Sequence, residues 1–181
     1  QMTSVFMWVL LPVYAHDQFQ IPESTYGLIP TTNALMVVLF QVFITRFTRK
    51  LPPLPIMALG SFLYAIGVGS VALGDSFIAF WFSMVIMTMG ELVLMPTAST
   101  YVAQLAPADM RGRYMSISGL TWNAAYGLAP VTGGYLSDNI APRAIWVGGL
   151  VTGLAGFLGY ALLAKKHRSE TRTHLVENRL P

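Results

Sequence analysis

The sequence is poor in charge and contains no cysteine. Only 10% of its 181 residues are charged, whereas 54% are hydrophobic and the mean hydropathy is +0.56. Because a soluble domain normally carries about 25% charged residues, this composition excludes an ordinary globular domain and indicates an integral membrane protein. The lack of cysteine excludes disulfides and thiolate metal sites, and it leaves the redox compartment open.

Apolar runs bounded by turn residues or charges divide the chain into six segments. A membrane span needs about 20 residues, and the second to sixth segments are each long enough. The first is too short at its beginning, so we expect a truncated first helix that further chain precedes in the natural protein. The predicted segments are Met2–Ala15, Tyr26–Ile44, Ile56–Leu73, Phe77–Ala103, Tyr114–Leu136 and Ile145–Leu163. This pattern predicts an all-α membrane protein, with a six-helix transmembrane domain over residues 1–164 and a tail over residues 165–181.

Basic residues follow alternate segments, whereas the intervening loops carry acidic residues and a single basic residue, Arg143. Because cytoplasmic loops are enriched in Lys and Arg, we predict a multi-pass protein of the plasma (inner) membrane with a cytoplasmic C-terminus. The net charge of +3 is then a topology signal, and no nucleic-acid partner is expected. Trp81 and Trp146 are predicted at the outer interface, where indole rings are favoured. The residues that set this orientation are Arg46, Arg49, Lys50, Arg111, Arg113, Lys165, Lys166, Arg168 and Arg172.

One acidic residue, Glu91, lies in the middle of the fourth apolar segment. An ionised side chain at the centre of a bilayer costs roughly 2.5–3.5 kcal/mol on insertion scales. No lysine, arginine or histidine lies at membrane depth in the sequence to form an ion pair with it. Intramembrane acids usually serve a proton, ion or substrate path, so Glu91 is the first candidate for proton coupling or contact with a cationic substrate. The alternative is a structural acid that is protonated or hydrogen-bonded.

Other polar, aromatic and thioether side chains inside the spans are candidates for a substrate cavity. Helical spacing puts several methionines on the same face of the fourth segment as Glu91, and flexible thioethers suit varied apolar ligands. Packing is the alternative for the methionines, and an interhelical hydrogen bond is the alternative for the asparagines. The candidate cavity residues are Tyr26, Asn33, Met87, Met95, Trp122, Asn123 and Tyr126.

One predicted cytoplasmic loop and one longer pattern resemble a known family, the major facilitator superfamily. The loop after the second segment matches the basic positions of the family's loop signature, but Gln41 and Thr48 replace its glycines and Thr45 replaces its acid. In that family such a loop helps to latch a cytoplasmic gate. The predicted gate residues are Arg46, Arg49, Lys50, Asp109, Arg111 and Arg113.

The longer pattern runs from Gly90-Glu91-Leu92 to Pro96, through Leu105-Ala106-Pro107, to Ala129-Pro130 and Gly133-Gly134. Its order and spacing are similar to the fourth and fifth spans of the C-terminal half of major facilitator proteins, especially the proton-coupled drug antiporters. Proton-coupled peptide symporters show a similar Gly-Glu-Leu and Ala-Pro pattern. A proline removes a backbone hydrogen bond and small residues allow close packing. We therefore expect Pro96, Pro130, Gly133 and Gly134 to bend or pack their helices. For Pro130, Gly133 and Gly134, packing alone and a role in coupling are both open.

The resemblance implies a secondary active transporter in which two six-span halves rock about a central site. It implies a lipid bilayer, a small-molecule substrate, protons and an N-terminal six-span half as partners, and no cofactor or metal. Export of small amphipathic or cationic compounds is the first interpretation, and proton-coupled peptide uptake is the second. A receptor or assembly protein on the same fold and a half-size homodimer are further alternatives. An intramembrane enzyme is not expected, because His16, His167 and His174 lie outside the spans and no hydrolase motif occurs.

Overall fold

The computed structural model describes the backbone of residues 1–177 and the side chains of residues 1–169. All regular structure in this part of the chain is helical, as the composition predicts. The α-helices are α1 (Met2–Val5), α2 (Leu11–Phe19), α3 (Glu23–Tyr26), α4 (Leu28–Thr48), α5 (Pro53–Ser70), α6 (Phe77–Leu105), α7 (Arg111–Asn139) and α8 (Ala144–Glu177). A π-helical turn at Phe6–Leu10 joins α1 to α2, and a 3₁₀ turn at Val71–Leu73 extends α5.

Four helical stretches in the described residues are long and apolar enough to cross a membrane. They correspond to the second, third, fourth and sixth predicted segments. Helix α7 is also 29 residues long, but it is more polar than these. The protein is therefore an integral, multi-pass membrane protein, and the number of six spans stays a prediction. The four stretches are Glu23–Thr48, Pro53–Leu73, Phe77–Leu105 and Ala144–Ser169.

The first segment runs through α1, the π-helical turn and α2 without leaving the helical region, and it ends four residues beyond the predicted Ala15. It ends where Gln20 takes a left-handed conformation with φ 53°, and the Gln20 amide donates to the His16 carbonyl at 2.9 Å. Phe6 and Leu11 are among its fully buried side chains, which form the centre of the apolar core. The first segment is therefore an integral part of the packed bundle.

Helix α5 lies at the centre of the bundle and packs most extensively against α6 and α8. Its small residues allow backbones to meet: a Cβ placed on Gly60 would lie 3.1 Å from the carbonyl oxygen of Gly90 in α6. A Cβ placed on Gly153 of α8 would lie 2.7 Å from the Cα of Ala65. Close approach at small residues is typical of membrane helices. Gly90 and Gly153 therefore lie at contacts where a larger side chain would meet the backbone of α5.

The two tryptophans that the sequence predicts at the outer interface differ in their burial. Trp146 is fully buried, and its ring centroid lies 5.1 Å from that of Tyr14. Tyr14 of α2 thus packs against Trp146 at the beginning of α8, and the position of both indoles at the outer interface stays a prediction. Trp81 is partly buried, and its Nε1 donates a hydrogen bond to Thr32 Oγ1 of α4 at 2.8 Å.

The predicted tail begins as a continuation of the last helix. Residues 165–177 prolong α8 without interruption, because the Lys-, Glu- and Arg-rich sequence has no glycine or proline that would end it. Residues 178–181, and the side chains of Arg172 and His174, lie outside the described residues.

Candidate functional site

Glu91 is the central residue of α6. Helix α6 runs from Phe77 to Leu105, so Glu91 lies fourteen residues from either end. At about 1.5 Å per residue the helix is roughly 43 Å long, which is more than the ~30 Å hydrocarbon core of a bilayer. The carboxylate is half-buried and lies at the middle of the span, where the sequence predicts it.

Three side chains join α4 to α6 at this depth, and we call them the polar triad: Asn33, Thr88 and Glu91. Asn33 Nδ2 donates to Glu91 Oε2 at 2.8 Å and to Thr88 Oγ1 at 2.9 Å. The Thr88 hydroxyl in turn donates to the carbonyl of Met84 at 2.8 Å. Since an amide nitrogen carries two donors, both hydrogens of Asn33 have acceptors on α6. Asn33 is only 7% exposed, so the triad is an ordered interhelical contact.

The charge balance of the triad suits a group that changes its protonation state. Within the described residues, no basic side chain forms an ion pair with Glu91. Its partner is the neutral amide of Asn33, which stabilises the ionised acid by a charge-assisted hydrogen bond. A protonated acid retains an oxygen that accepts the same bond. The arrangement therefore accommodates Glu91 in either protonation state without a change of partner.

A second link between α4 and α6 lies beside Pro96. A proline has no N–H, so Pro96 cannot donate to the carbonyl four residues before it, which belongs to Leu92. Gln41 Nε2 of α4 donates to this carbonyl at 3.2 Å and to Thr45 Oγ1 at 2.9 Å. Helix α6 continues through Pro96 to Leu105. The glutamine that replaces a glycine of the family's loop signature thus satisfies a carbonyl that the proline leaves without its helical partner.

The structure places the predicted cavity residues in three different surroundings. Asn33 lies against Glu91, as described. Met87 is fully buried in the apolar core, where its backbone would lie 2.6 Å from a Cβ placed on Gly67. This position favours the packing alternative for Met87. Tyr26 lines a cleft of about 350 Å³ with Glu23 at the N-terminal end of α4, away from the polar triad.

The remaining cavity candidates lie on or near α7. Met95 and Trp122 line the same small pocket beside α5 and the first segment. Tyr126 is 49% exposed, and its ring centroid lies 6.2 Å from that of Trp122. Asn123 is exposed on the same helix. The structure therefore brings Met95 and Trp122 together, and it leaves Asn123 and Tyr126 on the surface of the described chain.

The predicted gate residues are all exposed. None of the six forms an ion pair within the part of the chain that the structure describes. Arg49 lines a cleft of about 350 Å³ between the ends of α4 and α6, together with Thr45, Pro96 and Tyr101. The gate latch stays a prediction. The six residues are Arg46, Arg49, Lys50, Asp109, Arg111 and Arg113.

The small residues of α7 differ from one another in their contacts. Ala125, Ala129 and Gly133 are buried at intervals of four residues, so they form one face of the helix. A Cβ on Gly133 would lie 3.4 Å from a ring carbon of Phe6, which places this face against the first segment. A Cβ on Gly134 would meet nothing within 4 Å in the described structure. Pro130 lies inside α7, which continues past it to Asn139.

One polar residue of the site was not singled out by the sequence. Tyr64 of α5 is 4% exposed, and a Cβ on Gly90 would lie 3.1 Å from its amide nitrogen. A tyrosine in an apolar span resembles any other core aromatic. The sequence signal that could have identified Tyr64 was its spacing from Gly60 and Ser61. This spacing puts one small residue and two hydroxyl-bearing residues on the face of α5 that contacts the neighbouring helices.

The fold and this site define a polytopic helical membrane protein with an acid at mid-depth, hydrogen-bonded across two helices. Residues 1–179 match the profile of the Major Facilitator Superfamily. The chain belongs to the major facilitator superfamily, and the resemblance seen in the sequence is confirmed.

Three curated relatives illustrate the similarity. A Na(+), Li(+), K(+)/H(+) antiporter of Planococcus maritimus is 26% identical over 110 residues, which cover 61% of this chain and 26% of the relative. The uncharacterized MFS-type transporter YttB of Bacillus subtilis is 26% identical over 153 residues, 83% of this chain and 38% of the relative. The riboflavin transporter RibZ of Clostridioides difficile is 25% identical over 155 residues, 85% of this chain and 34% of the relative. The matched part of this chain thus spans between 26% and 38% of the length of these relatives.

Proposed function

We propose that this chain is the C-terminal six-span half of a secondary active transporter that works by alternating access, and that Glu91 carries the coupling proton. The substrates proposed are small amphipathic or cationic compounds, which the transporter exports. The observation that carries this proposal is the hydrogen bond of 2.8 Å between Asn33 and Glu91 at the middle of α6. It joins an acid without a basic partner in the described residues to a neutral donor on another helix.

The polar triad links the protonation of Glu91 to the position of α4. Helix α4 has only three buried residues, Ile29, Asn33 and Thr48, so its polar contacts with α6 are a large part of what holds it. A hydrogen bond to an ionised carboxylate is roughly twice as strong as one between neutral groups. Protonation of Glu91 therefore weakens the contact between α4 and α6, and ionisation strengthens it. This is the kind of differential contact that a coupled transporter needs between two states.

The similarity to transporters supports the general class. One relative is named a cation/H(+) antiporter and another a riboflavin transporter, which is in keeping with proton coupling and with a small organic substrate. Helices α4 and α7 expose many large apolar side chains, such as Val38, Phe43 and Val131. We propose that lipid covers part of this surface and that an N-terminal six-span half covers the rest, in the parallel arrangement typical of this family.

The test is pH-driven flux in proteoliposomes that contain the full-length protein, with cationic dyes and dipeptides as substrates. We expect Glu91→Gln to abolish transport driven by a pH gradient while substrate exchange without a gradient is retained. Asp75→Asn is the matched control, because Asp75 is an exposed acid in the loop before α6 and its neutralisation removes the same charge outside the membrane.

Each other outcome assigns a different role. Coupled flux that is equal in native protein and Glu91→Gln would show that Glu91 is a structural acid. Gradient-driven uptake of dipeptides, without movement of dyes, would replace the efflux proposal with peptide symport. Substrate binding without any flux in the native protein would favour a receptor or assembly protein on the same fold.

A further inference from the structure

Thr88 is the fully buried member of the polar triad. It lies on α6 three residues before Glu91, so the two side chains share one face of the helix. Its hydroxyl has a single hydrogen, which it donates to the carbonyl of Met84 at 2.8 Å. Towards α4, the oxygen of Thr88 therefore acts only as an acceptor, and it accepts from Asn33 Nδ2 at 2.9 Å.

This acceptor decides which end of the Asn33 amide faces α6. An amide has donors only on its nitrogen and acceptors only on its oxygen. A half-turn of the amide would place its oxygen against the oxygen of Thr88, whose one hydrogen is already bound to Met84. An ionised Glu91 disfavours the half-turn as well, because a carboxylate is also only an acceptor. A protonated Glu91 can accept or donate, so Thr88 alone then keeps the amide nitrogen towards α6.

We propose that Thr88 is a positioning residue that keeps Asn33 oriented as a donor to Glu91 in both protonation states. The proposal rests on the proposed function, because this orientation matters only where Glu91 changes its protonation state. With the orientation fixed, the protonated acid accepts an ordinary hydrogen bond, whereas the ionised acid accepts a charge-assisted one. Without the Thr88 hydroxyl, the amide is free to turn and to accept from the carboxyl O–H of a protonated Glu91. The difference between the two states, on which the link between α4 and α6 depends, would then be lost.

The measurement is an infrared titration of the full-length protein, in which the C=O band of protonated carboxyl groups is followed with pH. The band of Glu91 is the one that Glu91→Gln removes. We expect its midpoint in Thr88→Val to lie about one pH unit above that of native protein, the difference between a charge-assisted and a neutral hydrogen bond. Thr88→Ser keeps the hydroxyl and should restore the native midpoint.

Two variants test whether the effect passes through the amide. In an Asn33→Ala background there is no amide to turn, so we expect Thr88→Val to cause no further change of the midpoint. Thr97→Val is the matched control on the same helix. The Thr97 hydroxyl donates to the carbonyl four residues before it at 2.7 Å, as that of Thr88 does, but it forms no hydrogen bond to another helix in the described residues. This variant should titrate like native protein.

Few other groups near Glu91 can move the midpoint. Helix α4 brings the neutral amide of Asn33 to the acid, and α5 places Tyr64 beside Gly90. The phenol of a tyrosine is neutral over the range in which a carboxyl group titrates. No basic side chain forms an ion pair with Glu91 within the described part of the chain. A changed midpoint in Thr88→Val therefore reports the hydrogen bonds of the triad.

Equal midpoints in native protein and Thr88→Val overturn the proposal, as does a Glu91 band that does not titrate in native protein. An equal shift in Thr97→Val also contradicts it, since loss of any hydroxyl from α6 would then suffice. Thr88→Ala removes the same acceptor and decides the question if Thr88→Val does not fold. The titration follows the acid itself and is independent of flux. A shift in Thr88→Val beside unchanged coupled flux in Glu91→Gln would overturn the proposed function but not the orienting contact.

Discussion

Replacement of Gly90 by alanine is expected to separate α5 from α6 at the level of the acid. A Cβ on Gly90 would lie 2.8 Å from the carbonyl oxygen of Gly60, whereas an ordinary contact begins at 3.4 Å. The helices must therefore move apart by about 0.6 Å, the difference between these two distances, and neither atom belongs to a side chain that can rotate away. Overpacking of this kind costs typically about 1–3 kcal/mol.

The control for this prediction is Gly159→Ala in α8, where a new Cβ meets nothing within 4 Å in the described structure. Both substitutions bring the same gain of about 0.5–1 kcal/mol in helix propensity, so their difference isolates the contact. We expect Gly90→Ala to be less stable than Gly159→Ala by about 1–3 kcal/mol. The assay is unfolding in mixed micelles with increasing SDS, followed by circular dichroism. Equal midpoints for the two variants would refute the backbone contact between α5 and α6.

Three further contacts are tested by substitution, each by SDS unfolding. Gln41→Leu leaves the carbonyl beside the α6 proline without its donor, so we expect a loss of about 0.6–1.7 kcal/mol; no loss would mean that the bond of 3.2 Å contributes nothing. Trp81→Phe and Thr32→Val should each destabilise, and the double variant should be no worse than the worse single one, because both remove the same bond. Additive losses would contradict that pairing. Gly153→Ala should destabilise by about 1–3 kcal/mol, and Ala65→Gly should restore only part of it, because the new Cβ also meets backbone atoms.

The sequence predicted the helical class and most helix positions because long apolar runs between charged loops have few other solutions in a bilayer. The predicted and observed starts of the fourth segment agree at Phe77, and its end differs by two residues. The first segment was harder to delimit. Its helix continues to Phe19 through a polar stretch, because backbone hydrogen bonds, rather than apolarity, decide where a helix ends.

The polar triad was only half predictable. Glu91 and Asn33 stand out because polar groups at membrane depth are rare, but nothing in the sequence says that they face each other. That pairing depends on the packing of α4 against α6. Met87 failed to stand apart from the other methionines for the same reason, since its burial is decided by the close approach of α5 at Gly67. Tyr64 stood out only when its side chain was seen to be buried where α5 meets α6.

Helices α5 and α6 touch at two levels, near Gly60 and Gly67, which are seven residues apart along α5. At about 1.5 Å per residue the two contacts are roughly 10 Å apart. Two separated backbone contacts fix both the spacing and the crossing angle of a helix pair, so α5 and α6 behave as one rigid unit. Sliding or rolling of one on the other would create clashes at both levels at once. A change of shape around Glu91 would then move α4 rather than α5. The hydrogen bond from Asn33 to Glu91 would be the contact that changes, whereas the contacts between α5 and α6 would stay fixed.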